Sequence, residues 1–174
     1  LSDAQLEVTL SQAGAGIERI AFRDIWLTAV ARQEAIGYTK ALRSGDADLP
    51  PPPAESARYL LQHASTIKWR DRAPQKDYAV TASLLGGYSI TVNGQELALT
   101  GASAWQPDEP GTFKAHVIDE DGNEVLEIIR TWRLGDGCDI TLEQSLRNTS
   151  GGPVEVRWVQ YGPPNLVVDR SRYM

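Results

Sequence analysis

The stretch Tyr88-Ser-Ile-Thr-Val-Asn-Gly-Gln-Glu-Leu-Ala-Leu99 sets Asn93-Gly94 between two runs of alternating apolar and polar residues. Alternation of period two places one set of side chains on one face of a strand. Both central residues of a type I′ turn need positive φ, which Asn-Gly tolerates best. The segment is therefore predicted to be a β-hairpin, and the chain an antiparallel one at this point.

The same punctuation recurs along the chain. Leu6-Glu-Val-Thr-Leu10 alternates, with Leu6, Val8 and Leu10 facing a core. Ala13-Gly-Ala-Gly16 breaks the pattern and Ile17-Glu-Arg-Ile-Ala-Phe22 resumes it, a hairpin-like opening. Strand character returns at Ala57–Leu61 and Thr66–Trp69, and Asp121-Gly122 separates Phe113–Ile118 from Val125–Trp132. Ile140–Asn148 and Val154–Trp158 read as one more hairpin, closed by Asn148–Pro153. On the order of ten short strands with such turn spacing, and scarce helix, predict an all-β antiparallel sandwich. Ile140, Leu142 and Leu146, then Val154, Val156 and Trp158, then Leu126, Ile128 and Trp132 are its expected buried layer.

Residues 26–57 do not fit this pattern. Trp26–Tyr38 leaves a short helix and a loop open, and Ser44-Gly-Asp-Ala-Asp48 runs into Pro50–Pro53. The stretch is read as an irregular, exposed, proline-rich excursion from a single domain spanning residues 1–174. Proline stiffening of a surface loop is preferred over a polyproline ligand.

A chain of 174 residues is one domain by size, and it can bury a full core. Its net charge of -6 argues against nucleic acid and against docking on anionic lipid through overall charge. A partner reached through a local patch stays possible. Cys138 is the single cysteine, so no disulfide forms within one chain. No apolar run approaches the roughly 18 residues that span a bilayer. The chain begins at Leu1 rather than Met and is expected to be part of a longer or processed protein.

Reactive constellations are scarce. His63 and His116 are the only histidines, and neither has a histidine partner at helical spacing. There is no Gly-x-Ser-x-Gly elbow, no P-loop and no dinucleotide fingerprint. Asp119-Glu-Asp-Gly-Asn-Glu124 lacks the spacing of an EF-hand and reads as a solvated hairpin tip. Asn148-Thr149-Ser150 matches a glycosylation sequon, but turn chemistry explains it as well. Of Trp26, Trp69, Trp105, Trp132 and Trp158, the last two are in phase with core positions. Trp105 falls outside a clear strand. It is the expected exposed aromatic and, with Pro51 and Pro52, a candidate contact surface. No catalytic residue, cofactor or metal is assigned.

The order of these segments resembles the large periplasmic domain of the YidC family of bacterial membrane protein insertases. Leu6–Phe22, with its Ala13-Gly-Ala-Gly16 turn, is similar to that domain's opening strands. Val125-Leu-Glu-Ile-Ile-Arg-Thr-Trp-Arg-Leu134 and Cys138–Asn148 are similar to two of its late strands. Thr149–Gly162 is similar to the return strand, and the likeness runs in order from about Leu6 to Leu166, weakest over Trp26–Pro53. The resemblance implies a β-supersandwich related to galactose mutarotases. It implies a periplasmic position, a transmembrane tether before Leu1 and an insertase core after Met174. It also implies contact with Sec translocon components and nascent membrane proteins, the isolated domain being a soluble monomer. The family's working groove lies in the transmembrane part, so no catalytic residue carries over. Two other readings compete. One is a carbohydrate-binding or aldose-epimerase-like domain, with His63 or His116 and Glu124 or Glu127 as acid and base. The other is a free-standing adhesion-type sandwich.

Overall fold

The computed structural model describes residues 1–3, 5–70 and 77–162; the side chains of residues 62, 63, 65–70 and 77–81 lie outside that description. Twelve strands and one α-helix are present among the described residues. The architecture is an all-β sandwich with little helix. Three sheets contribute to one core, and all strand pairs are antiparallel.

The first sheet has the order β1 (Leu6–Ser11), β2 (Gly16–Trp26), β3 (Arg58–His63). Leu6 pairs with Phe22 and Ser11 with Gly16, so the predicted opening hairpin is present. Strands β4 (Ser65–Arg70) and β5 (Asp77–Ala82) form a two-stranded ladder. Strands β6 (Gly87–Val92) and β7 (Gln95–Ala98) close on Asn93 and Gly94, with φ of 50° and 86°. Both central residues take the positive φ that the dipeptide predicted. In the four-stranded sheet, β8 (Gln106–Pro107), β9 (Thr112–Ile118), β10 (Glu124–Leu134) and β11 (Ile140–Asn148) lie in the order 11-10-9-8. Gly122, at φ 85°, turns β9 into β10.

The last strand, β12 (Val156–Gln160), corrects the sequence reading. It pairs with β6 and not with β11, so Asn148–Pro153 crosses from one sheet to another. The crossing is anchored at both ends. Thr149 donates its amide to Val125 O (3.2 Å) and its hydroxyl to Glu124 O (3.0 Å). Asn148 Oδ1 accepts from the Ser150 amide (2.9 Å) and Asn148 Nδ2 donates to Gly152 O (2.8 Å). On arrival, the Asn93 amide donates to Glu155 O (3.0 Å) and Asn93 Oδ1 accepts from the Glu155 amide (3.0 Å). Asn148 thus serves a turn, as its residue type suggested.

Leu126, Ile128 and Trp132 are buried as expected, while Val154, Val156, Trp158, Ile140 and Leu142 pack partly buried against them. Leu146 is a second correction, because it is exposed near the end of the edge strand β11. A third concerns Trp105, which is fully buried. It follows the 3-10 turn Ala102–Ala104, its Nε1 donates to Leu99 O at 2.8 Å, and its ring meets Trp158 edge-on. A buried donor with a carbonyl partner costs little, so the indole's large apolar area decides its place.

The core also holds a charge. Arg130 lies on the inward face of β10 and is 0% exposed. Its Nη1 donates to Gly14 O (2.8 Å) and its Nη2 to Leu85 O (2.5 Å). Its guanidinium lies 5.7–5.9 Å from the rings of Trp105, Trp132 and Trp158. Neither a carboxylate partner for Arg130 nor a partner for its Nε is found among the described residues. Burial lowers its pKa to about 10, so it stays charged at neutral pH.

Candidate functional site

Residues 26–57 are only in part the irregular excursion that the sequence suggested: residues 45–54 form no helix or strand and are almost all exposed, while the helix left open over Trp26–Tyr38 is present and longer. They contain a 16-residue helix, α1 (Ala29–Ser44). Thr28 caps it, its Oγ1 accepting from the Ala31 amide at 3.1 Å. Gly45 ends it at φ 70°, and the Asp46 amide donates to Ala41 O at 3.2 Å. Its buried residues are Ala31 and Ala35, so the helix approaches β2 on small side chains.

An open groove of about 1140 Å³ runs between α1, the end of β2, the proline run and the start of β3. The helix contributes Arg32, Ile36, Lys40 and Arg43, residues whose spacing puts them on one face. Strand β2 contributes Arg23, Asp24 and Trp26, and the opposite wall holds Pro52, Pro53, Glu55 and Arg58. Five cations thus face two carboxylates, on a chain whose net charge is -6.

These cations are not equivalent. Arg58 is held by Glu7 and lies 5.8 Å from the Trp26 ring; Glu7 also takes Arg19 at 2.7 Å, and Arg19 reaches Glu55 at 3.6 Å. Arg23 donates to Asp3 O at 2.7 Å. Arg32, Lys40 and Arg43 have no ion-pair partner among the described residues. Two of the wall hydroxyls are committed to the helix: Thr39 Oγ1 donates to Ala35 O (2.8 Å) and Ser44 Oγ to Lys40 O (2.6 Å). The arrangement suits holding an anion beside an apolar wall. It presents no activated nucleophile.

The sequence-stated contact surface is divided by the structure. Pro51 and Pro52 are exposed and Pro52 lines the groove, whereas Trp105 is in the core. Trp26 and Tyr38, both half-buried, are the aromatics that line the groove. The side chains of His63 and Trp69 lie outside the described residues. Sequence reasoning missed the groove. Its signal was Thr28 and Gly45 as start and stop, with basic residues at 32, 40 and 43 between them.

His116, Glu124 and Glu127 come together elsewhere, on the outer side of β9 and β10. Their ligand atoms lie within 4.8 Å of one another, a set that a divalent cation could use. Each is already engaged: His116 Nδ1 meets Glu124 Oε2 at 2.9 Å, and Arg147 Nε meets Glu127 Oε2 at 2.8 Å. None of the three lines the groove.

Fold and site together define an all-β sandwich with a helix-walled basic groove. No family model, curated protein or solved structure matches the chain. Among the described residues, no helix is long and apolar enough to cross a membrane.

Proposed function

We propose that this chain is a non-catalytic interaction domain, the periplasmic domain of a YidC-type membrane protein insertase. The observation that carries the contact role is the groove, where unpaired cations and an apolar wall stand without an activated nucleophile. The family assignment draws on the order of segments that resembles that domain, from the β1–β2 opening through β10 and β11 to the return strand β12. In this reading the domain faces the periplasm at the bacterial inner membrane. It meets Sec translocon components and nascent membrane proteins, and needs no cofactor. The gene sequence on both sides of this segment tests it. One hydrophobic helix upstream and a cluster of about five downstream are expected. A cleavable signal before Leu1 and a stop soon after Met174 would overturn it.

A further inference from the structure

We infer that the groove beside α1 binds extended acidic peptide segments, and that it discriminates against basic ones. Charge complementarity carries the inference. Arg23, Arg32, Lys40, Arg43 and Arg58 face Asp24 and Glu55, and four of these cations, all but Arg58, lack a carboxylate partner among the described residues. An anion entering the groove therefore need not displace an existing ion pair to reach Arg32, Lys40 or Arg43. Arg58 is pre-positioned by Glu7 against Trp26, so part of the ordering cost is met before a ligand arrives.

The shape favours a peptide over a compact ion. The cations are spread along three turns of helix, from Arg32 to Arg43, and not gathered at one point. Ile36 stands between Arg32 and Lys40 and is 51% exposed, an apolar contact waiting for a side chain. Pro52 and Pro53 form a stiff wall opposite. An extended chain could lay carboxylates on the cations and apolar residues on Ile36, Trp26 and the prolines.

The source of such a segment rests on the insertase reading. Loops that remain in the cytoplasm carry an excess of Lys and Arg, so loops delivered outward are poor in them. A basic groove on the outer side repels Lys- and Arg-rich segments and leaves segments poor in them free to enter. Repulsion contributes to specificity as much as attraction does.

The test is a titration of the 174-residue chain with a labelled synthetic peptide alternating Asp or Glu with small apolar residues. Its twin carries Lys at the acidic positions. Tighter binding of the acidic peptide is expected, weakening as salt screens the contact. Arg32→Glu/Arg43→Glu should reduce its affinity about tenfold or more. Arg133→Glu/Arg157→Glu changes net charge equally on exposed positions outside the groove and should leave binding nearly unchanged. Equal binding of the two peptides, or indifference to the groove substitutions, overturns the inference. So does binding only to anionic vesicles, or only self-association, which would assign the groove to lipid or to a second copy. This readout does not depend on the flanking sequence, whereas the insertase reading stands or falls on it.

Discussion

Arg130 offers the sharpest test of how this core is built. Its guanidinium donates to Gly14 O and Leu85 O inside a ring of three indoles. The fall of its pKa to about 10 corresponds to a burial cost of about 3 kcal/mol for the charged form. Arg130→Met removes that cost. It also takes the donor from the buried Gly14 carbonyl and the part-buried Leu85 carbonyl, at about 2 kcal/mol each. The net loss should be about 1 kcal/mol. Arg130→Lys keeps a charge that is more strongly hydrated and harder to bury, and its shorter side chain cannot reach both carbonyls. It loses one charge-assisted bond and some packing, for a net cost of about 3 kcal/mol. Urea unfolding followed by tryptophan fluorescence would rank the variants. Lys is expected to be the less stable of the two. If Lys proves more stable than Met, the indoles reward a cation by more than burial costs it, and this reasoning fails.

The remaining expectations concern backbone, caps and pH. Gly16→Ala should destabilise by about 2 kcal/mol in the same urea assay, because its Cβ would lie 2.8 Å from Gly86 Cα and 2.4 Å from Ser83 Oγ. Gly37→Ala, on α1 with nothing within 4 Å of the new atom, should stabilise by about 0.5–1 kcal/mol. Thr28→Ala should cost about 1 kcal/mol and loosen the first turn of α1, seen as faster amide exchange there. The amides of Leu6 and Gln5 hold the Asp3 carboxyl below its usual range. A depressed acid contributes stability above its unfolded pKa, about 4, and loses it as the pH falls through the folded value. The stability advantage of the natural chain over Asp3→Asn should therefore be present at neutral pH and shrink below about pH 4.

What the sequence made legible was local. Asn93-Gly94 and Asp121-Gly122 carry their turn geometry in their residue types, and both hairpins formed around them. Alternation along Leu126, Ile128 and Trp132 gave the inward face of β10. The same phase put Arg130 inward too, but a charge argues for the surface. The carbonyls of Gly14 and Leu85, distant in sequence, and the rings of Trp105, Trp132 and Trp158 make its burial tolerable. The pairing of β12 with β6 was not local, since adjacency in sequence favours a hairpin whichever sheet the next strand joins. Helix α1 was legible only as one of two options over Trp26–Tyr38, and its length was hidden, because its buried stripe is alanine, while Val30, Ile36 and Leu42 are exposed. The apolar residues therefore gave no helical period to read. Trp105 was misplaced because a residue after a 3-10 turn has no alternation to assign its face.

The two arginine populations divide the labour of one strand. Strand β2 begins at Gly16, where the chain passes close to Gly86 and the neighbouring Gly14 carbonyl takes Arg130. It ends at Trp26 in the groove, where Leu27 donates its amide to Ala57 O at 2.9 Å and Arg58 stands over the indole. At its start, a cation is spent on backbone carbonyls and shut away from water. Toward its end, Arg23 on β2 and Arg32, Lys40 and Arg43 on α1 stay exposed, with no ion-pair partner among the described residues. A groove that binds through exposed charge needs its walls placed, because flexible cations spend much of their interaction energy on their own ordering. The buried arginine helps meet that requirement by fixing the strand's origin against the core. The Glu7 carboxylate, shared by Arg19 and Arg58, does the same at the groove. Rigid fixation at both ends of β2 and unpaired charge along α1 are thus complementary parts of one binding surface.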